Sequence, residues 1–526
     1  MLFTSYGFIA FLIVLFALYY LIPRKWQWLL LLVADIVFYA CAGWQGLVFM
    51  AATVTVSWAA TNLMGCSLRR QKAYLASDEG KALSRPERKE YKKLEEKKRK
   101  RVFVLALLID LGILAALKYT NFVIFNFNSL FSADVSAVDW VLPLGISFYT
   151  FQTVSYVIDV YWEKVEPERN ILKVALFTSF FPLLIQGPIS RFGDLKDTLF
   201  AEHKADLKQI SFGLQRILWG YFKKLVIADR LLVAVTALCG DPTAYSGAYV
   251  LLGAVFYAAE LYADFTGIDI TIGIAQVLGV SVRENFIRPY FSRNIAEYWR
   301  RWHISMGTWF KDYIFYPLSV APWLLKLSKK ARKSISDGFG KKLSVYVSTI
   351  VTWFLTGLWH GAAWNFVVWG LLNAFFILLA EEFKPLSVKF REKHARLVSG
   401  FGYRVFETLR TFFLMCSLRI LDCYRDVAVS FKAFGSIFTT NNWGEAFSGE
   451  LLKLGLTGAD YLVAGVGVAL MFAVSCVQEK CGCVRELMWK KTAVPYVVFA
   501  LLALCILVFG AYGVGYDSSQ FIYNQF

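Results

Sequence analysis

The chain is organised as long apolar blocks separated by short polar stretches. Four blocks are nearly unbroken, at residues 8–22, 26–42, 102–117 and 496–511. A helix that spans a bilayer needs roughly 20 mainly apolar residues, and fewer when flanking groups reach the interface. By that criterion the sequence holds about ten to twelve spanning segments. The pattern predicts an all-α polytopic membrane protein, with one membrane domain over residues 1–526.

Composition and charge agree with a membrane protein. Of the 526 residues, 57% are hydrophobic and 18% are charged, whereas soluble domains carry about 25% charged residues. The net charge of +17 comes largely from short segments between apolar blocks, which is how basic residues orient membrane helices. No nucleic-acid recognition motif accompanies this charge, so a nucleic-acid partner is excluded. Placing the basic segments in the cytoplasm puts both termini, including the tail at 515–526, outside.

The largest hydrophilic insert covers residues 67–101. It contains fourteen basic and six acidic residues. We expect a solvated cytoplasmic loop that is attracted to anionic lipid headgroups. Within it, Ser84 followed by Pro86 has the pattern of a helix cap and first turn.

The segment 281–323 mixes aromatic residues, arginines and apolar residues. No window of twenty residues in it is free of charge. Such a segment does not span a bilayer in the ordinary way, so we predict interfacial or re-entrant helices shielded by other protein.

Two of the four histidines are candidates for chemistry. His203 and His394 occupy polar stretches and are expected to be solvated. His360, in contrast, has almost wholly apolar and aromatic neighbours in sequence. An ionisable residue at membrane depth is a functional candidate, and a neutral imidazole takes a proton from a hydroxyl in general base catalysis. A structural histidine between helices is the alternative, and the residues alone do not separate the two.

His303 is the other candidate, and it follows Arg300 and Arg301. Guanidinium groups recognise phosphates through paired hydrogen bonds. The pair therefore suits a phosphate-bearing donor at the cytoplasmic side. Anchoring of an interfacial helix by positive charge is the alternative.

Other chemistries leave no signature in this chain. It has no P-loop, no G-x-S-x-G elbow and no H-E-x-x-H motif. The nine cysteines form neither a disulfide framework nor a zinc motif. We therefore expect no metal and no bound cofactor.

At the histidines the sequence resembles the membrane-bound O-acyltransferase family, in its alginate O-acetyltransferase-like branch. The resemblance is carried, in order along the chain, by PLGISFYTFQ at 143–152, YVIDVY at 156–161, FPLLIQGPISR at 181–191, YADFTG at 262–267, ENF at 284–286, WRRWHIS at 299–305 and GLWHGAAWNF at 357–366. Relatives commonly carry a further histidine where this chain has Asn373.

The resemblance implies a ring of tilted helices around a central funnel or tunnel. It assigns catalysis to His360 and His303, donor binding to Trp299 with Arg300 and Arg301, and a tunnel lining that includes Trp359, Asn365 and Gln186. The ending FIYNQF at 521–526 is similar to that of related acyl-export systems, where the tyrosine carries the acyl group. Here that residue is Tyr523, whose phenol is a fair nucleophile when a base assists it.

The function implied is O-acetylation of an exported or cell-wall polysaccharide across a bacterial inner membrane. A cytoplasmic donor, expected to be acetyl-CoA, supplies the acetyl group. The expected partners are an extracytoplasmic acetyltransferase or esterase-like protein, the polysaccharide acceptor and membrane lipids. Transfer of D-alanine from a carrier protein to teichoic acid is the alternative within the class. A polysaccharide or lipid transporter is the alternative of another class.

Overall fold

The computed structural model describes residues 3–241, 243–491 and 493–512, and in these residues the only regular structure is helical. The longer helices are Tyr6–Leu21, Gln27–Ala40, Trp44–Ala76, Arg85–Phe131, Ile146–Tyr161, Leu207–Tyr221, Asp229–Gly240, Ala248–Phe265, Ile268–Val277, Pro322–Ser334, Asp337–His360, Trp364–Lys393, Phe401–Tyr424, Val427–Thr439, Gly458–Cys481 and Val494–Phe509. The shorter helices are Asp78–Ala82, Ile171–Ser179, Phe181–Leu184, Phe192–Leu199, Ile295–Arg301, Ile304–Phe310, Tyr316–Ser319, Ala395–Ser399, Trp443–Ala446 and Val484–Trp489. The described part also contains three 3₁₀ turns, at Arg24–Trp26, Pro289–Phe291 and Glu450–Lys453. It contains two π-helical segments, Phe222–Ala228 and Lys311–Phe315.

Length and hydropathy single out the helices that can cross a membrane. Within the described residues, 5 spans qualify: Trp44–Ala76, Arg85–Phe131, Ala248–Val277, Trp364–Lys393 and Gly458–Cys481. The span Ala248–Val277 comprises the consecutive helices Ala248–Phe265 and Ile268–Val277. Three shorter apolar helices are Tyr6–Leu21, Val427–Thr439 and Val494–Phe509. The chain is thus an all-α polytopic membrane protein, as predicted. Fewer helices meet the criterion than the ten to twelve apolar blocks suggested, because several blocks form helices that are short for a bilayer.

The basic insert at 67–101, expected to be a loop containing one helix after Ser84, is largely helical. The helix Trp44–Ala76 continues through the first part of it, and Arg85–Phe131 begins inside it. The predicted start at Ser84 is confirmed by a capping box, in which the Ser84 backbone N–H donates to Glu87 at 2.8 Å. The two long helices pack together, and Ser57 donates to the buried Asp110 carboxylate at 2.8 Å.

The segment 281–323 is broken into short helices, as its mixed composition predicted. Ile295–Arg301 ends before His303, and a second helical stretch then runs through Ile304–Phe310, Lys311–Phe315 and Tyr316–Ser319. The depth of this segment in a membrane, and the central tunnel, stay predictions.

The chain divides into two compact units. The first comprises Met1–Gly213 with Ile274–Arg283, and the second comprises Leu214–Gly273 with Glu284–Phe526. In the first unit His203 is half-buried and held in place, because its backbone N–H donates to Gln27 at 2.8 Å and its ring lies 2.7 Å from the Thr198 carbonyl oxygen. The expectation that His203 is simply solvated was therefore wrong, whereas His394 is exposed as expected.

Candidate active site

His303 occupies a tight turn in the second unit, between Ile295–Arg301 and Ile304–Phe310. Its backbone is left-handed, with φ 46° and ψ 53°, which is uncommon for a residue with a side chain. Asn285 holds this turn: its carbonyl oxygen accepts from the Ile304 N–H at 3.0 Å, and its side-chain oxygen accepts from the Ser305 N–H at 2.9 Å. The motif residues at 284–286 and 299–305 are thus in contact.

The His303 ring is fully buried, with 0% of the residue exposed. Its Nδ1 atom lies 3.2 Å from the amide nitrogen of Asn285, and Phe265 packs edge-on against it at a centroid distance of 4.9 Å. Burial lowers the pKa of His303 to about 3, because desolvation disfavours the imidazolium. The ring is therefore neutral at physiological pH.

His360 is the last residue of the helix Asp337–His360 and is only partly buried. Its helix crosses Trp364–Lys393 at closely spaced glycines. A Cβ atom on Gly357 would lie 2.3 Å from the Phe366 carbonyl oxygen, and one on Gly370 would lie 2.3 Å from that of Trp353. The neighbouring helix thus approaches closely at Gly357 and fixes the backbone that presents His360.

Aromatic rings connect the two histidines. The Trp359 ring lies 6.1 Å from the His303 ring and 5.1 Å from the His360 ring, measured between centroids. On its other side, His360 meets Trp369 edge-on at 4.9 Å. The indole N–H of Trp299 donates to Asn373 at 3.0 Å. His303 is fully buried, whereas His360 is partly buried with its Nε2 atom inside the protein, and both rings lie near the same indole.

Comparison with known proteins identifies the class. The family model of the membrane-bound O-acyltransferases matches residues 167–420. A probable alginate O-acetylase of Azotobacter vinelandii is 36% identical over 383 residues, 70% of this chain and 66% of the relative. That of Pseudomonas syringae pathovar tomato is 30% identical over 481 residues, 90% of this chain and 81% of the relative. This chain belongs to the membrane-bound O-acyltransferase family. The family resemblance seen in the sequence is confirmed, and the protein is an O-acyltransferase.

The relatives of this acyltransferase differ in their acceptors. The peptidoglycan O-acetyltransferase of Helicobacter pylori is 30% identical over 314 residues, 55% of this chain and 56% of the relative. Teichoic acid D-alanyltransferases match at 27% identity. The relatives that match at 30% or more are thus named for acetyl transfer.

The two arginines of the acyltransferase motif have different surroundings. Arg301 forms ion pairs with Glu297 at 2.8 Å and with Glu479 at 3.3 Å, whereas Arg300 is exposed. Arg301 therefore fastens its short helix to the helix Gly458–Cys481. Of the two, Arg300 is better placed to meet a soluble donor.

The residues predicted to line a tunnel fall in both units. Trp359 contacts the two histidines as described, and Asn365 is buried and donates to the Leu421 carbonyl oxygen at 3.2 Å. Gln186 is buried in the first unit. Tyr523, the predicted acyl carrier, lies outside the described residues.

Sequence reasoning missed Arg419, which packs against Trp302 just after the helix Ile295–Arg301. Its guanidinium carbon is 4.7 Å from the centre of the Trp302 ring, and it pairs with Asp422 at 3.1 Å. Both charged residues are buried, with 7% and 8% of their surface exposed. The spacing of Arg419 and Asp422 places them on one helix face, and that spacing was the available signal.

A buried ionic network was also missed. Lys224 lies in the π-helical segment Phe222–Ala228, and its amine pairs with Asp229 and Asp264, each at 2.7 Å. The three side chains are at most 2% exposed. Asp264 belongs to the motif YADFTG at 262–267, so the acidic residue in that motif was the sequence feature that pointed to the network. π-Helical turns often occur at functional sites.

Proposed function

We propose that this O-acyltransferase transfers an acetyl group from cytoplasmic acetyl-CoA across the membrane, for O-acetylation of an exported or cell-wall polysaccharide. The support for acetyl comes from relatives named as an alginate O-acetylase and a peptidoglycan O-acetyltransferase. The multi-pass helical architecture supports a membrane location, and the bacterial relatives support a bacterial inner membrane. The basic segments support an orientation with both termini outside.

The observation that carries the catalytic proposal is the unequal burial of two adjacent histidines. His360 is partly exposed at the end of a helix, whereas His303 has no exposed surface. A general base must come within hydrogen-bond reach of the proton that it removes. His360 therefore acts as the base, and His303 keeps Trp359, and through it His360, in position.

In the proposed reaction His360 is the only group that takes up and releases a proton. The acceptor hydroxyl gives its proton to His360 while its oxygen attacks the thioester carbonyl. The C–S bond then breaks, the new C–O ester forms, and the proton returns from His360 to the departing thiolate. The products are an acetyl ester and free coenzyme A. Arg300 holds a phosphate of the donor at the cytoplasmic entrance.

The first acceptor is the phenol of Tyr523 or a group on a partner protein. An aryl ester remains reactive enough to pass the acetyl group onward. An extracytoplasmic acetyltransferase or esterase-like partner then moves it to a sugar hydroxyl.

Thioester cleavage by the purified protein in lipid nanodiscs tests this proposal. We expect His360→Gln to abolish release of free thiol from acetyl-CoA, and His394→Gln to leave it unchanged, because His394 is exposed. Full activity of His360→Gln contradicts the assignment of the base. Mass spectrometry of the intact protein then locates the acyl group: wild type gains an acetyl group on Tyr523, and Tyr523→Phe does not. Labelling by an aminoacyl carrier protein, and not by acetyl-CoA, favours D-alanyl transfer instead.

A further inference from the structure

A cavity of about 520 Å³ lies in the second unit. It is next to the His303 turn, because Phe286 lines it and the Phe286 ring lies 6.3 Å from the His303 ring. Neither His303 nor His360 lines it. Its size is within the range of small-molecule sites. The proposed acyl transfer does not use this cavity.

On one side of the cavity, here called its floor, four charged side chains pair with one another. Arg216 donates to Asp269 at 2.6 Å and to Glu284 at 2.7 Å. Lys223 donates to the second Asp269 oxygen at 2.5 Å and to the Thr266 carbonyl oxygen at 2.6 Å. Arg216 and Lys223 are 8% and 3% exposed. Two cations and two carboxylates cancel, so the floor is polar, rigid and neutral.

The excess charge of the cavity is positive and comes from its rim. Arg288 and Arg485 also line it, which makes four basic side chains against two acidic ones. Arg288 is in addition bound to Glu479, and its backbone is left-handed, with φ 46°. Counting Glu479 with the acidic side chains leaves four basic against three acidic ones, so the polar side of the cavity still favours an anion.

The opposite wall of the cavity is apolar. Its residues come from the part of the chain after residue 420, where the match to the family model ends. Leu470 and Val474 come from Gly458–Cys481, and Val498 and Leu502 come from Val494–Phe509. The last helix is fixed to the π-helical segment, because the Ala511 N–H donates to the Leu225 carbonyl oxygen at 2.8 Å. Both wall helices are apolar enough to face lipid.

We propose that this cavity is a binding site for the headgroup of an anionic phospholipid. The phosphate lies near Arg288 and Arg485, the glycerol meets the ionic floor, and the acyl chains run out along the apolar wall. Basic pockets between membrane helices on the cytoplasmic side bind such headgroups, and the basic residues at 480–491 predict that side. A phosphate-bearing donor is disfavoured here, because the apolar wall suits acyl chains and not a polar nucleotide.

Native mass spectrometry of the full chain tests this site. Phosphatidylglycerol and phosphatidylethanolamine with identical acyl chains are added to the detergent-purified protein. We expect the anionic lipid to be retained preferentially, and Arg485→Ala to weaken its binding about fivefold, the effect of one basic residue at an anionic surface. Val474→Trp, which fills the cavity from its apolar side, should remove the binding. Lys480→Ala is the matched control, because Lys480 is exposed and does not line the cavity.

Cys483 provides a second readout, since it lines the cavity and is exposed. We expect phosphatidylglycerol to slow maleimide labelling of Cys483, while labelling of the exposed Cys66 in the first unit continues unchanged. Equal binding of both lipids, or an equal loss in Lys480→Ala, overturns the proposal. So does protection of Cys483 by acetyl-CoA and not by lipid. The outcome is independent of the thioester assay on His360→Gln, so the two proposals can fail separately.

Discussion

The indole of Trp359 contacts His360 edge-on, with the ring centroids 5.1 Å apart and the ring planes at 75°. The same indole lies 6.1 Å from the buried His303. Trp359 is 4% exposed, so it has little freedom to move. It is therefore the side chain through which His303 can fix the orientation of His360.

Replacing Trp359 should impair turnover more than donor binding. A displacement of about 1 Å at a reacting group can cost about 10²-fold in rate. We expect Trp359→Ala to lower kcat by about that factor with little change in KM for acetyl-CoA, and Trp359→Phe to retain more activity. Trp364→Ala is the control, because Trp364 is 52% exposed. If Trp359→Ala is as active as this control, Trp359 does not position the base.

Asn285 should be essential to the stability of the His303 turn. Its side chain accepts from the Ser305 N–H and contacts the His303 ring. Loss of a buried hydrogen-bond partner costs about 1–3 kcal/mol. We expect Asn285→Ala to lower the free energy of unfolding by that amount, and the exposed Asn441→Ala to change it little. Denaturant titration in detergent measures both. A stability equal to wild type shows that the turn holds without Asn285.

Burial of His303 predicts a specific dependence of stability on pH. Its pKa is about 3 in the folded protein, against about 6.5 in an unfolded chain. Between these values the unfolded state binds the proton and the folded state does not, so stability falls as the pH decreases from about 6.5 towards 3, by at most about 1.4 kcal/mol per pH unit. We expect His303→Gln to flatten the decrease in melting temperature between pH 7 and pH 5, and His394→Gln to leave it unchanged. The same slope in wild type and His303→Gln refutes the prediction.

The helical architecture could be predicted because each of its signals is local. Apolar blocks of sufficient length form helices, and the cap at Ser84 needs only Glu87 three residues later. The break in the segment 281–323 follows from its charge. The approach of His303 to Trp359, the neighbour of His360, agrees with the family motifs and could not be read from sequence spacing. In the insert at 67–101 the helix after Ser84 was predicted, but the helical part up to Ala76 was not. Charge was interpreted there as solvation, although charged residues also extend helices into water.

The buried charges could not be predicted in the same way. Lys223 and Lys224 are adjacent in sequence and resemble interfacial anchors, yet both amines are buried. Their partners Asp264 and Asp269 lie about forty residues further along the chain. Such pairing depends on how two helices pack, which one sequence does not reveal. Arg419 and Asp422 are three residues apart, which allows a pair on a helix, but their burial was not evident from the sequence.

The Lys224 network gives the sharpest test of the buried core. Removing one partner of a buried ion pair costs about 3–5 kcal/mol, because the remaining charge is left uncompensated. Lys224 neutralises Asp229 and Asp264 at 2.7 Å each, so we expect Lys224→Met to destabilise the protein by at least that amount. Adding Asp264→Asn should restore part of the loss, since it removes one of the two carboxylates. Lys204→Met, at an exposed lysine, controls for loss of charge alone. Unfolding in detergent by increasing denaturant is measured for wild type, Lys224→Met, Asp264→Asn, the double variant and Lys204→Met. Additive effects of Lys224→Met and Asp264→Asn would show that the two side chains do not interact.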